Sequence, residues 1–130
     1  MKSDFERSAR PVDLTTDVAH EFDLPSLSSR LMNGETTSKS GKTALTLARD
    51  DRMTVVLTVM KEGAELQTHK ADCPITVNVL AGRIVFTVGT EEKQVAVSAG
   101  GALVMPSGLS HSARALNDSS FLLVIGGRGM

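Results

Sequence analysis

The side chains best suited to chemistry are few: three histidines (His20, His69 and His111) and one cysteine, Cys73. An imidazole offers one hydrogen-bond donor and one acceptor, and its unprotonated nitrogen ligates metals. Cys73 follows His69 in the run His69-Lys70-Ala71-Asp72-Cys73-Pro74 and shares its odd-number parity. On a bent loop its thiolate could reach the same centre, giving a His69-Cys73-His111 trio for a divalent metal. The plainer reading makes Cys73 a small hydrophobe with an inert thiol. His20 has no partner in its stretch of sequence and reads as a surface residue. There is no Gly-x-Ser-x-Gly elbow, phosphate loop or pair of carboxylates at strand ends, so nothing marks a nucleophile with its base.

These residues must be positioned by strands. From Thr43 onward apolar residues recur at period two, and turn residues arrive every eight to twelve positions, as in an all-β sandwich or barrel. Strands are expected at Thr43 to Arg49, Arg52 to Met60, Ile75 to Leu80 and Arg83 to Val88. Further strands are expected at Lys93 to Ser98, Ala102 to Met105, Ser110 to Ala115 and Phe121 to Ile125, in a barrel of about nine strands. Lys61-Glu62-Gly63, Ala81-Gly82 and Gly89-Thr90-Glu91-Glu92 read as turns.

The first forty or so residues differ. They are polar and patternless up to Phe22, then Asp23 to Leu31 reads as a short helix with Asp23 as cap and Pro25 in the first turn. Asn33-Gly34 stops it, Ser38 to Gly41 reads as a turn, and the first ten residues are expected to be disordered. The division expected is an N-terminal arm at 1–42, wrapping the outside of a barrel at 43–130, with one domain overall.

Composition excludes several classes. Fourteen Lys and Arg balance fifteen Asp and Glu at a net charge of -1, so the clustered positive face of a nucleic-acid binder is missing. Trp and Tyr are absent and Phe numbers four, which removes the stacking platforms that sugar and base recognition use. No apolar run approaches the roughly twenty residues of a membrane span, and Met1 to Arg7 does not resemble a secretory leader. With a single cysteine no internal disulfide forms, and a cytoplasmic location is the expectation.

Two stretches resemble the cupin family. Gly63, His69 and Gly82 match the glycines and first histidine of the motif G-x5-H-x-H-x3,4-E-x6-G. Gly100, Pro106, Gly108 and His111 match G-x5-P-x-G-x2-H-x3-N up to its histidine. The resemblance implies an all-β jelly-roll barrel, a double-stranded β-helix, whose interior carries a divalent metal on three histidines and a glutamate. Here Ala71 stands at the second histidine, Ile75 at the glutamate and Ala115 at the asparagine, with Asn117 two residues on. Two imidazoles alone hold a first-row metal weakly, since three or more protein ligands are the rule.

The function expected is therefore a cupin-like barrel binding a small molecule, with a degraded metal site and no favoured cofactor. His69, His111, Ile75, Val77 and Val79 are its expected ligand contacts. The alternative is a metal-dependent cupin enzyme of dioxygenase, isomerase or decarboxylase type, using zinc, iron, nickel or manganese on a reduced ligand set. A homodimer is expected, because the run Phe121 to Ile125 is apolar on both faces and exposed sheet edges need cover. Neither a nucleic-acid nor a membrane partner is expected.

Overall fold

Alternation along Ile75 to Ala81 decides the architecture: Ile75, Val77 and Val79 are buried while Thr76 and Asn78 between them are not. A strand with one apolar face needs a second layer to cover it. The computed structural model of the protein, which describes residues 11–14 and 17–126, supplies that layer as a second sheet. The expectation for the first ten residues lies outside the described residues.

The strands are β1 (Val12–Asp13), β2 (Lys42–Arg49), β3 (Met53–Met60), β4 (Glu65–His69) and β5 (Ile75–Ala81). They continue with β6 (Arg83–Val88), β7 (Lys93–Ser98), β8 (Ala102–Met105), β9 (His111–Ala115) and β10 (Ser119–Gly126). One sheet has the order β1-β2-β3-β10-β5-β8, the other β4-β9-β6-β7. Among the described residues only β1 and β2 pair in parallel. The inward faces share one core, in which Ile84, Phe86, Ala115, Phe121, Val77 and Met60 are each at most 2% exposed. This is the expected all-β double-stranded β-helix.

Two of the crossings between sheets, β5–β6 and β9–β10, are clamped together. Gly82, at φ 81°, joins β5 to β6. It does not close a hairpin, as the pair Ala81-Gly82 suggests; it carries the chain from one sheet to the other. A Cβ there would collide with Ser119 Oγ and lie 2.5 Å from the Asp118 carbonyl oxygen, so only glycine fits. The next amide, Arg83 N–H, donates to Asn117 Oδ1 at 2.8 Å. Asn117 is thus a clamp on the crossing, while Ala115, at the family's asparagine position, is fully buried core. Gly89, at φ 78°, turns the β6–β7 hairpin as expected.

Outside the larger sheet lie α1 (Leu24–Met32) and α2 (Glu35–Ser40). The α1 boundaries follow from its caps: the Asp23 carboxylate accepts from Ser26 N–H at 3.1 Å, Pro25 sits in the first turn, and Asn33 ends it. Leu31 is fully buried in a cluster with Leu47, Leu57 and Val59 of the sheet's outer face. The segment expected as a turn at Ser38 to Gly41 is the end of α2, stopped by Gly41 at φ 84°. Thr37 holds the two helices and β2 together, its hydroxyl donating to the Leu31 carbonyl and lying 2.6 Å from Thr43 Oγ1. The arm is not wholly outside the barrel, because Val12 and Asp13 pair with Ala48 and Arg49 at the sheet edge. Among the described residues no helix is long and apolar enough to cross a membrane.

Candidate functional site

His69 and His111 come together on adjacent strands. They are direct partners in the β4–β9 ladder, and their rings meet edge to face with centroids 4.3 Å apart. Simple alternation would not bring this about. From Leu66 to His69 is an odd step, which on a regular strand puts the two on opposite faces. The pairing runs Leu66↔Ala113 and then His69↔His111, one residue more on β4 than on β9, so a bulge lies between them. The bulge turns His69 back to the face that Leu66 occupies. His111 is 8% exposed, whereas His69 is exposed and stands at the rim.

Each ring is held by its own strand. His69 Nδ1 lies 2.9 Å from the Gln67 carbonyl oxygen and His111 Nδ1 3.0 Å from that of Leu109. A carbonyl oxygen only accepts, so Nδ1 carries the hydrogen in both, and in the neutral ring Nε2 keeps its lone pair. Neither Nε2 has a partner among the described residues.

The two rings border a cavity of about 200 Å³ between the sheets. From the larger sheet come Val56, Thr58, Val77, Phe121 and Leu123; from the smaller, Leu66, Phe86 and Ala113. Among the described residues no Asp, Glu, Lys or Arg lines it. Thr58, 5% exposed, adds a hydroxyl with no partner among the described residues. A larger depression of about 430 Å³, along Pro11 to Asp13 and Arg49 to Asp51, shares no residue with it.

The sequence expectations meet this geometry unevenly. His69, His111 and Val77 line the cavity. Ile75 and Val79 do not: at 4% and 2% exposure they fill the core above and below the level of Val77. Cys73 is half-buried and free, and it does not line the cavity. The His69-Cys73-His111 trio is not assembled, and no group of three His, Cys, Asp or Glu suited to a metal occurs among the described residues. His20 is exposed, as expected. Phe86, Phe121, Leu123, Met105 and Thr58 are among the cavity residues that sequence reasoning did not single out. Alternation assigns each to the inner face, but the depth of a residue along the barrel axis has no period to reveal it.

No family model matches the chain, and no curated protein matches its sequence. Solved structures do match its fold. A cupin superfamily protein from Desulfitobacterium hafniense superposes with a TM-score of 0.70 over 92% of this chain and 99% of its own, at 18% identity. A conserved Streptococcus pyogenes protein of unknown function gives 0.67 over 88% and 93%, at 20% identity. An RmlC-like cupin with a double-stranded β-helix fold, from Methanocaldococcus jannaschii, gives 0.62 over 68% and 82%, at 13% identity. The fold of this chain is the cupin fold.

Proposed function

We propose that the barrel binds a small molecule in the cavity beside His69 and His111 without itself supplying a metal centre. The observation that carries this reading is the donor set. A cupin metal site draws four protein donors into the barrel, and here Ala71 and Ile75 stand at two of those positions, with no lone pair to offer. Two imidazoles fall short of the three ligands a first-row metal ordinarily takes from protein, and no third donor joins them among the described residues. An apolar cavity with a few convergent polar groups is the usual form of a small-molecule site.

A second reading rests on the tautomer. Histidines that ligate metals commonly donate the other ring nitrogen to a carbonyl or carboxylate, and both rings do so here. A divalent metal completed by the substrate's own donors would make the protein an enzyme. Elemental analysis of protein purified without chelator separates the two. Substoichiometric metal is expected; close to one iron, zinc, nickel or manganese per chain would overturn the binding reading in favour of the enzyme.

A further inference from the structure

We infer that the cavity selects an uncharged, single-ring compound carrying one hydroxyl, of the phenol or cyclohexanol kind, with the hydroxyl donated to His111 Nε2. The inference rests on the binding role proposed above and adds the ligand's chemical class to it.

Size sets the first limit. Drug-sized ligands and nucleotides occupy pockets of roughly 300–1,000 Å³, whereas an apolar cavity of about 150 Å³ accommodates benzene. A space of about 200 Å³ suits one ring with a small substituent and is too small for a disaccharide or a nucleotide. Charge sets the second. With no acidic or basic side chain among the described residues of the lining, a carboxylate or phosphate would leave water without a counter-charge. The apolar walls set the third: Phe86 from one sheet and Phe121 from the other meet edge to face, with centroids 6.4 Å apart, beside Val77 and Leu123. Such walls reward a hydrocarbon ring, and the polar groups beside them, Thr58, Ser112 and the two imidazoles, are too few to match a polyol.

The polar end then fixes orientation. His111 cannot turn its Nε2 away, because Nδ1 is tied to the Leu109 carbonyl. His111 Nε2 has no protein partner among the described residues and borders the cavity, so it stands as a fixed acceptor at one end of an apolar space. A ligand that donates one hydrogen bond is matched there, and one that only accepts is not. His69, at the rim, exchanges with solvent and contributes less to selection.

Calorimetric titration of the full chain at pH 8 with phenol, toluene, anisole and benzoate tests this. Phenol is expected to bind one to one, about tenfold or more tighter than toluene or anisole, with benzoate weaker still. His111→Leu should bring phenol down to the level of toluene while toluene binding persists. Ala113→Phe, which fills the cavity from β9, should abolish binding of all four; Val56→Phe fills it from the other sheet should that variant fail to fold. Benzoate binding tighter than phenol, or phenol and anisole binding equally, would overturn the ligand class and leave the binding role standing. Phenol binding that survives both filled variants would overturn the location. If no probe binds at millimolar concentration while the purified protein carries stoichiometric metal, both the class and the binding role fall.

Discussion

At the scale of single residues, the site is a contrast between two positions that kept a donor and two that did not. Ala71 and Ile75 both touch the core cluster to which Leu66, Val77 and Met105 of the cavity wall also belong. Introducing Ala71→His with Ile75→Glu places two further lone-pair donors in the packing next to that wall. Zinc or nickel affinity should rise by orders of magnitude, read as a concentration-dependent increase in melting temperature that the natural sequence lacks. Without metal the double variant should be less stable by about 2–4 kcal/mol, because Ile75 is 4% exposed and a carboxylate there is unpaired. An equal metal response from the natural chain would mean that His69 and His111 already form a working site. If neither protein responds, the assignment of Ala71 and Ile75 to ligand positions is wrong. His69 and His111 were legible as a pair because two spaced motifs name them. Ile75 and Val79 were misplaced because parity identifies the inner face and is silent about depth. The trio with Cys73 is not formed for a related reason: β4 ends at His69, and Cys73 lies in the loop before β5, where side chains no longer alternate.

Between residues and the whole stand the elements, and here the junctions carry more information than the strands. Gly82 holds a left-handed conformation in contact with the Asn117-Asp118-Ser119 turn, so it joins the β5–β6 and β9–β10 crossings at one point. Gly82→Ala should cost about 2–4 kcal/mol, from the conformation and the steric overlap together. The urea midpoint should fall with an unchanged slope. Gly63→Ala is the comparison: its φ is 84° but nothing lies within 4 Å of the added carbon, so it should cost only about 1–2 kcal/mol. Equal losses at the two sites would show that Gly82 is not a steric clamp. On the outer face, Leu31→Ala removes a fully buried side chain between α1 and the sheet and should cost about 2–5 kcal/mol, read in the same titration. The strands and α1 were readable from period and caps. β4 was not, because Glu65-Leu66-Gln67-Thr68-His69 has one apolar side chain in five and is held as a strand by its pairing with β9. The helix α2 was hidden for the same reason: Thr36, Thr37, Ser38 and Ser40 prefer turns and caps, and the buried Thr37 bonds override that preference.

For the whole molecule the open question is which surfaces remain uncovered once the chain has folded. The run Phe121 to Ile125 does not need a second copy to bury both its faces. Leu122 packs into the helix-side cluster, while Phe121, Leu123 and Ile125 face the barrel core. Among the described residues, what is left bare is the other half of the outer face, beyond the reach of the helices, where β5 and the short edge strand β8 lie. Val104 there is 69% exposed and Leu80 37%. Their neighbours across the ladder, Thr76, Asn78 and Ala102, carry no charge. Bringing a face against its own copy about a two-fold axis sets like residues near like, which a charged face resists and an uncharged one does not. The expected arrangement is therefore a homodimer joined over β5 and β8. Sedimentation at tens of micromolar should give twice the chain mass, and Val104→Lys should shift it to monomer by placing two ammonium groups across the axis. A monomeric natural chain at that concentration would remove the dimer altogether. A dimer indifferent to Val104→Lys would move the interface to another surface, with the edge of β7 in the smaller sheet the next to test by the same substitution at Ala96, which faces away from the core beside Val85.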